Sequence, residues 1–455
     1  MPAPIFSVSG LRGVFGESLN AETVSRVIAA FLRLFGPGRY VVGRDARPSG
    51  PELNAIVSGA VRQYGGEVTQ LGVVPTPTVV HFVRTTGDVR AGIVITASHN
   101  PIQWNGLKLI HPNGRFLFAD EVAELSRLIR DCEARSVEAI ASGLRPAQHS
   151  DVGAAIERHI AAIRGNWLFA NVNGQGLRIG IDAVNGAMSI AACELVRAFG
   201  AEPVPIFCST ERLEAGFPRG PEPVPENLTA LSELVRKQRL DAGFAFDPDG
   251  DRFSCVDEQG VALGEEASLC LAALYILPRV KGDVVVNLST SRAIDDLAAR
   301  FGVRTFRTRV GEANVVQRLV ETGAVLGGEG NGGVILPAIN LTRDGLVAAA
   351  TVLALASTSR LSEIRRQLPE YQLVKTVLPA PIFDSERLLH RAGAIFDDEF
   401  TVDQQDGLRF AGKDWWVHIR QSNTEPVVRI VAEAKSRVAA QVLVNRVRRF
   451  LDGGN

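Results

Sequence analysis

The strongest constraint on the fold is a strand–helix–glycine–strand pattern that occurs three times within the 455 residues. The first copy begins at Tyr40 with YVVGRD, continues into a helix that ends at Gly65, and finishes with EVTQLG. The second and third copies have helices that end just before Gly200 and Gly302 and are followed by EPVPIF and VRTFRT. Recurrence of one supersecondary pattern at domain-sized spacing predicts three related α/β domains, each with a parallel or mixed sheet covered by helices.

Local signals predict where individual elements start. Ser49 followed three residues later by Glu52 matches a capping box, so we expect the Ser49 hydroxyl to cap the first of these helices. The tail of the chain differs from the three copies. KDWWVHIR and VVRIVAEA have the pattern of two strands, and a helix from about Val438 follows, with Ser436 as its cap. The tail is therefore predicted to be a small α+β domain.

These patterns divide the chain into four predicted domains. The three α/β domains are expected at 1–150, 151–255 and 256–369, and the C-terminal α+β domain at 370–455. Four domains suit the length, since single domains commonly hold about 100–150 residues.

The composition excludes several classes of partner. Lys and Arg number 49 against 50 Asp and Glu, so no bulk charge attracts nucleic acid or a membrane surface, and any anion site must be local. The five cysteines show no CxxC spacing, which favours reduced thiols. No apolar run reaches the ~18 residues of a membrane span and the N-terminus lacks a signal-peptide pattern, so a cytoplasmic protein is expected.

The first candidate site is the segment Thr96-Ala-Ser-His-Asn-Pro101. It follows the β-branched run AGIVI, so Ser98 is expected in a loop at the carboxyl end of a strand, where ligands bind in open α/β sheets. A serine there, beside His99 and upstream of Lys108, has the setting of a covalent nucleophile or phosphate carrier. An ordinary turn remains the alternative, because Ser-His-Asn-Pro also favours turns.

The second candidate site is Asp247-Pro-Asp-Gly-Asp-Arg252. Three carboxylates at alternate positions in a tight turn favour a hard cation such as Mg²⁺. A calcium-binding EF-hand is the competing interpretation, but its sixth position requires glycine and this chain has Arg252 there. The flanking segments GFAF and FSCV also indicate strands where an EF-hand has helices. A purely structural Asp-Gly turn is the remaining alternative.

The third candidate site is the glycine-rich segment 327–333, GGEGNGG. It contains a formal GxGxxG, but VILP follows it, so no helix is expected to receive a dinucleotide pyrophosphate. A loop that presents Glu329 and Asn331 to a polyol is the better functional interpretation, with a plain connecting loop as the alternative.

The fourth candidate site is Arg420-Gln-Ser-Asn-Thr-Glu-Pro-Val-Val-Arg429. Hydroxyl and amide groups lie between two arginines, a combination that suits the terminal oxygens of a phosphate. A solvated hairpin turn is the alternative.

One motif falls in each predicted domain, which implies a single central cleft where the four domains meet. Taken together and in this order, the motifs resemble those of the α-D-phosphohexomutase superfamily along the whole chain. TASHNP resembles its phosphoserine loop, DPDGDR its magnesium loop, GEGNGG its sugar-specificity loop and SNTEP its phosphate-binding loop. SGLRG and VGRDARPS also resemble superfamily segments of the first domain.

The resemblance implies a reaction. Phosphorylated Ser98 would give its phosphoryl group to a hexose monophosphate, the bisphosphorylated hexose would turn over, and its other phosphate would return to Ser98. One Mg²⁺ per chain would be held by Ser98, Asp247, Asp249 and Asp251. Lys108 would be a general acid/base, with His99, Arg252 and Arg12 near the transferring group.

The resemblance also implies how the substrate is held. Glu329 and Asn331 would contact sugar hydroxyls. The phosphate that is not reacting would be bound by Arg420, Ser422, Asn423, Thr424 and Arg429. GEGNGG resembles the variant found in archaeal-type phosphoglucosamine mutases, so glucosamine 6-phosphate is the expected substrate, with glucose or mannose phosphates as the alternative. A monomer or a homodimer is expected.

Three other functions are also compatible with individual motifs of the sequence. The GxGxxG would support a nicotinamide-dependent dehydrogenase, and the aspartate loop would support a non-enzymatic calcium-binding module. A phosphatase would share Ser98 and the metal, but it would not need a second phosphate clamp in another domain.

Overall fold

The computed structural model describes residues 5–7, 10–132, 148–149, 152–209, 216–379, 385–396, 399–421 and 427–451. Within these residues the chain forms four sheets, which follow one another along the sequence. We refer to the parts built on them as the first, second, third and C-terminal units.

The first unit is built on the largest sheet. Its strands are β1 (Ile5–Ser7), β2 (Gly10–Val14), β3 (Arg39–Arg44), β4 (Glu67–Val73), β5 (Val89–Ile95), β6 (Trp104–His111), β7 (Arg115–Phe116) and β8 (Gln148–His149). They lie in the order β1-β2-β6-β5-β3-β4-β8, and β7 pairs with β6. Its helices are α1 (Ala21–Phe35), α2 (Gly50–Gln63), α3 (Thr76–Thr85) and α4 (Ala119–Asp131). Helix α5 (Val152–Gly165) leads into the second unit.

The second and third units have four-stranded sheets of identical topology. The second contains β9 (Arg178–Asp182), β10 (Glu202–Ile206), β11 (Ala242–Phe246) and β12 (Phe253–Asp257), with helices α6 (Met188–Ala198) and α7 (Thr229–Gln238) and a 3₁₀ turn at Pro225–Asn227. The third contains β13 (Val284–Asn287), β14 (Thr305–Thr308), β15 (Leu326–Glu329) and β16 (Gly333–Ile335). Its helices are α8 (Glu265–Ile276), α9 (Ala293–Arg300), α10 (Glu312–Thr322), α11 (Gly345–Ala356) and α12 (Leu361–Arg365).

The sheets of the three units repeat one strand arrangement. In each, the first strand lies between the second and the third in parallel, and the fourth pairs antiparallel with the third: β10-β9-β11-β12, β14-β13-β15-β16 and, inside the larger sheet, β4-β3-β5-β6. The prediction of three related α/β domains with mixed sheets is confirmed. The repeat also gives the first three candidate loops equivalent positions, since each joins the third strand of its unit to the fourth.

The C-terminal unit is an antiparallel sheet covered by helices. Its strands are β17 (Gln372–Pro379), β18 (Thr401–Asp403), β19 (Leu408–Ala411), β20 (Trp415–Gln421) and β21 (Val427–Ala434), in the order β17-β21-β20-β19-β18. Helices α13 (Ser385–Ile395) and α14 (Arg437–Leu451) accompany them. The predicted α+β unit is confirmed, and the backbone N–H of Ala439 donates to Ser436 Oγ (3.2 Å), as expected for the cap.

The hydrophobic core joins the three α/β units. One continuous cluster of buried side chains includes Val41 of the first unit, Phe244 of the second and Leu353 of the third. Helix α11, whose sequence GLVAAATVLALA is apolar on every side, contacts α6 in the second unit and α8 in its own. The C-terminal unit has its own cluster around Phe410 and Val447. Among the described helices, none combines the length and apolarity that crossing a membrane requires.

The predicted capping box at α2 is wrong. Ser49 precedes the helix with φ −74° and ψ −6°, which are helical angles, whereas an N-cap residue that accepts from the helix is extended. Its hydroxyl accepts a hydrogen bond from the Asn105 side chain instead (2.9 Å). The pattern identified the start of the helix correctly, but the Ser49 hydroxyl makes a tertiary contact with β6 and does not cap the helix.

Glycine conformation at the helix ends can be tested at Gly302. Its φ is +68° and a Cβ added there would meet no atom within 4 Å, so Gly302→Ala isolates the backbone cost. We expect the free energy of unfolding to fall by about 1–2 kcal/mol. A Cβ added at Gly393 in α13 would also meet no atom within 4 Å, but Gly393 lacks a positive φ. Gly393→Ala should therefore raise the free energy of unfolding by about 0.5–1 kcal/mol. Urea denaturation of both variants measures this, and equal effects would contradict it.

Candidate active site

The first two candidate loops meet at Ser98. The serine lies between β5 and β6, is 1% exposed, and its Oγ donates a hydrogen bond to Asp247 Oδ2 at 2.9 Å. Its φ is +49°, a left-handed conformation that costs a non-glycine residue roughly 1–2 kcal/mol. Its backbone N–H donates to Thr96 Oγ1 (2.8 Å). The strained loop therefore aims one hydroxyl at the aspartates of another unit.

Arg47 holds the Ser98 loop in this conformation. The guanidinium is fully buried, and its Nε donates to Asp45 Oδ2 (3.0 Å). Its two terminal nitrogens donate to four backbone carbonyl oxygens, those of Ser98 (2.6 Å), Pro101 (2.7 Å), Asn100 (2.8 Å) and Trp104 (2.8 Å). Because each buried carbonyl needs a donor, one side chain fixes the path of the whole loop. Arg47 belongs to the segment VGRDARPS, whose sequence pattern does not indicate this role.

The three aspartates between β11 and β12 can hold a metal ion. All three are fully buried, and one oxygen from each lies within 4.8 Å of the others. Asp249 Oδ1 and Asp251 Oδ1 are shielded from solvent and accept no hydrogen bond from any residue that the structure describes. Burial, reinforced by Asp249 and Asp251, raises the pKa of Asp247 well above its usual value. Closely spaced, partly unsatisfied carboxylate oxygens are the donors that a hard cation requires.

The EF-hand interpretation of this loop is wrong. The flanking segments are the strands β11 and β12, as predicted, and they pair antiparallel as a hairpin. Arg252, at the position where an EF-hand needs glycine, donates its backbone N–H to Asp247 Oδ1 (3.0 Å).

Lys108 and Thr76 bring the first unit to the metal loop. Lys108 Nζ donates to Asp249 Oδ2 (2.7 Å) and Asp251 Oδ2 (2.6 Å), and Thr76 Oγ1 donates to Asp249 Oδ2 (2.6 Å). Burial acts to lower the pKa of Lys108, but the two aspartates outweigh it and the pKa is raised. Lys108 is therefore an ammonium ion that neutralises part of the aspartate charge.

Arg343 joins the metal loop to the sugar loop. Its guanidinium donates to Asp251 Oδ2 (2.7 Å), Glu329 Oε2 (2.9 Å) and Glu312 Oε2 (3.1 Å). Burial acts to lower the pKa of Arg343, but the surrounding carboxylates raise it well above the usual value. Arg343 was not among the residues predicted for the site. The available signal was a charged pair, Arg343-Asp344, directly before the apolar helix α11.

Arg252 connects His99 to the cavity wall. Its terminal nitrogens donate to His99 Nδ1 (2.7 Å) and Glu222 Oε1 (2.7 Å). Burial first, then Arg252 and Arg12, lower the pKa of His99 to about 2. His99 is thus neutral, and because Nδ1 accepts from Arg252, its proton is assigned to Nε2. Arg12 Nη1 donates to Asn100 Oδ1 (2.8 Å) in the same loop.

Beside these loops lies a cavity of about 600 Å³ shared by three units. Residues from the second unit (Glu222, Arg252), the third (Glu265, Glu266, Ser289, Glu329, Asn331) and the C-terminal unit (Lys375, His418, Arg420, Arg429) line it. Glu329 is held by Asn287 Nδ2 (2.7 Å) as well as by Arg343, and Asn331 Oδ1 accepts from the Gly333 backbone (3.3 Å). The structure therefore brings the predicted sugar-contacting residues to the same cavity as Arg420 and Arg429, the two predicted phosphate-binding arginines, which we call the clamp arginines.

The clamp arginines come from one polar sheet face. Arg420 on β20 lies directly opposite Arg429 on β21, and His418 lies two residues before Arg420 on the same face. Like charges opposite each other on a sheet are destabilising, so this pair is suited to an anion placed between them. Ser422, Asn423 and Thr424 lie outside the described residues, so their part in the clamp stays a prediction.

Comparison with known families gives four ordered matches. The models of the phosphoglucomutase/phosphomannomutase alpha/beta/alpha domains I, II and III match residues 3–136, 157–260 and 265–371, and the model of its C-terminal domain matches 373–450.

Individual relatives cover the chain from end to end. A "Probable phosphoglucosamine mutase" of Thermococcus gammatolerans is 33% identical, over 98% of both chains. A "Phosphoglucomutase/phosphomannomutase" of Thermococcus kodakarensis is 32% identical, over 96% of both chains. Among solved structures, a phosphoglucomutase/phosphomannomutase family protein of Burkholderia thailandensis is 29% identical with a TM-score of 0.82, and the match covers 99% of this chain and 98% of the other.

The metal loop can be tested with Asp249→Asn. Replacing one charged ligand by a neutral amide should weaken Mg²⁺ binding at least about tenfold, equivalent to ~1.4 kcal/mol, in isothermal titration calorimetry. Asp88→Asn is the matched control, because Asp88 is an exposed carboxylate paired with Arg39 at the surface. Equal Mg²⁺ affinity in Asp249→Asn and the control would contradict the site, as would full activity of chelator-treated enzyme.

Proposed function

The chain belongs to the phosphoglucomutase/phosphomannomutase family, and we propose that it interconverts glucosamine 6-phosphate and glucosamine 1-phosphate by way of phosphorylated Ser98 and a bisphosphorylated hexose. Its class of activity follows from the family: the protein is an enzyme, a phosphohexomutase acting on hexose phosphates. The identity of the sugar and the roles of individual residues are the proposal.

The observation that carries the proposal is the contact between Ser98 and the metal loop. A phosphate carrier needs a nucleophilic oxygen beside a cation that offsets the charge of the transferring group. Ser98 Oγ lies 2.9 Å from Asp247 Oδ2, and two further aspartates with unsatisfied oxygens lie in the same buried loop. These residues fit Mg²⁺, which when bound would supply charge neutralisation as a Lewis acid.

Phosphoryl transfer requires Ser98 as the phosphate carrier and one residue that acts as general acid and base. The bond between phosphorus and Ser98 Oγ breaks while a bond from phosphorus to a sugar hydroxyl oxygen forms. Lys108, an ammonium beside the aspartates, is our candidate to protonate the departing Ser98 oxygen. The sugar hydroxyl loses its proton as it attacks, and that proton restores the ammonium of Lys108. Ser98 ends as the free hydroxyl that donates to Asp247. The same steps in reverse return the other phosphate to Ser98.

Arginines around Ser98 provide the remaining charge. Arg252 and Arg12 both contact residues adjoining Ser98, through His99 and Asn100 respectively. These contacts support Arg252 and Arg12 as our candidates to donate hydrogen bonds to the oxygens of the transferring phosphoryl group. Neutral His99 contributes orientation, because its Nδ1 is an acceptor for Arg252 and lies 3.4 Å from Ser98 Oγ.

The choice of glucosamine is supported by the acidic cavity wall. Glu222, Glu265 and Glu266 line the cavity, and Glu266 Oε1 is buried without a hydrogen-bond donor among the described residues. An ammonium group near these carboxyls makes charge-assisted hydrogen bonds that are about twice as strong as those of a neutral hydroxyl. The names of the archaeal relatives agree with this choice. Glucose or mannose phosphate is the second candidate, favoured by the name of the Thermococcus kodakarensis relative.

The substrate assignment is tested by comparing kcat/KM for the 6-phosphates of glucosamine, glucose, mannose and N-acetylglucosamine. We expect glucosamine 6-phosphate to lead by at least about tenfold, a difference of ~1.4 kcal/mol in transition-state binding. A higher value for glucose or mannose 6-phosphate would overturn the sugar assignment while leaving the mutase class in place.

The C-terminal clamp separates a mutase from a phosphatase. A mutase binds its sugar in two opposite orientations, with the non-reacting phosphate held at the same place each time. Arg429→Ala removes one charge-assisted contact worth roughly 1.5–3 kcal/mol, so kcat/KM should fall about 10- to 150-fold for the 1-phosphate and the 6-phosphate alike.

Two controls accompany Arg429→Ala. Arg437→Ala, at an exposed position on α14, should leave both rates unchanged. Phosphorylation of Ser98 by a small activated phosphate donor should also be unaffected, since that donor has no remote phosphate. A loss confined to one substrate, or no loss, would rule out reorientation about a shared clamp.

A further inference from the structure

A second cavity of about 500 Å³ lies between the third and C-terminal units. Its charged lining residues are Arg292, Asp295, Glu399, Arg409 and Lys413. Among the described residues, none lines both this cavity and the one at the candidate active site, although segment 287–292 contributes Asn287 to one cavity and Arg292 to the other. The cavity is thus a separate space bounded by the same connecting segment.

Arg409 is the unusual residue of this cavity. It lies on β19, and only 9% of its surface is exposed to solvent. Its guanidinium nevertheless makes no hydrogen bond or salt bridge to any described residue. In the described part of the chain, its Nε has no hydrogen-bond partner and is shielded from solvent, and the same is true of the Nε of Arg292, which also lines the cavity. Asp295 makes no ion pair with Arg409, since its Oδ2 accepts from Arg307 at 2.6 Å, although its charge acts to raise the pKa of Arg409.

A purely structural role does not explain the buried charge. The guanidinium stacks over the Trp416 ring, 4.9 Å from its centroid, which is a favourable cation–π contact. A guanidinium taken out of water loses hydrogen bonds that stacking does not replace, so Arg409 still lacks acceptors for its donors. Burial, and secondarily Arg307, lower the pKa of Arg409 to about 9, against the opposing effect of Asp295, Glu433 and Asp403.

We propose that this cavity binds a phosphate oxyanion, either inorganic phosphate or the phosphate group of a monoester, between Arg409, Arg292 and Lys413. A tetrahedral oxyanion offers several acceptors, which suits the planar donors of two arginines. Asp295 and Glu399 at the same cavity would disfavour a large polyanion, so the ligand is a single phosphate group.

The ligand would couple to the active site through β19 and β20. Arg409 is the direct cross-strand partner of His418, and His418 stands two residues before the clamp residue Arg420. His418 Nδ1 also contacts Ser289 Oγ of the third unit at 2.8 Å. An oxyanion that bridges Arg292 and Arg409 therefore draws together the two units whose faces form the active-site cavity. This coupling goes beyond the proposed reaction, and by linkage it is reciprocal.

The test uses full-length protein in which the clamp is disabled by Arg420→Ala and Arg429→Ala, so that phosphate binding at the active site is weakened. Titration calorimetry with inorganic phosphate should still show one binding event. Adding Arg409→Met should weaken it at least about tenfold, or ~1.4 kcal/mol. Arg300→Gln, a charge removal at an exposed position on α9, should leave it unchanged.

Two further measurements make the result decisive. Because Arg409 lacks hydrogen bonds, Arg409→Met should not lower the thermal unfolding midpoint without phosphate, and a marked decrease would favour a structural role. Titration with ribose 5-phosphate separates the two sources, since tighter binding than inorganic phosphate identifies a monoester site. Absence of phosphate binding at millimolar concentration, or binding that survives Arg409→Met, would overturn the proposal.

Discussion

Asp251 is the point on which the arrangement of the three α/β units depends. It accepts from Lys108 of the first unit and from Arg343 of the third, and all three groups are buried. Each ion taken out of water loses several kcal/mol of hydration, which is recovered only when its partners are in place. Arg343 extends the network to Glu329 in the sugar loop. The relative positions of the serine, metal and sugar loops are therefore tied to one set of buried charges.

The repeated fold explains how such a network arises. Each unit places its loop between the third and fourth strands of the same four-strand arrangement, at the carboxyl end of a parallel strand. Similar units packed around the shared core bring three equivalent loops together, and their chemistry then differs by sequence alone: a serine, three aspartates and a glycine-rich turn. The C-terminal sheet adds its own polar face, on which Arg420 and Arg429 lie opposite each other.

The sequence predicted those parts of the site whose residues are neighbours in the chain. The aspartate loop and the Ser98 loop each carry their chemistry within six residues, and the repeat pattern revealed the fold. Arg47 and Arg343 were missed because their partners are distant in sequence: a lone arginine has no local pattern that indicates four carbonyls or three carboxylates. The same reason explains the wrong capping-box prediction, because the partner of the Ser49 hydroxyl is Asn105 on β6, which is distant in sequence.

The most direct test of the account is to follow the phosphoryl group on Ser98. Enzyme carrying isotopically labelled phosphate there is mixed with one equivalent of unlabelled glucosamine 6-phosphate, and the product is examined after a single turnover. If Ser98 carries the phosphate, the product is labelled glucosamine 1-phosphate and the serine is left with unlabelled phosphate, while Ser98→Ala neither takes up label nor turns over. Label released as inorganic phosphate, or a product that carries only its original phosphate, would contradict it.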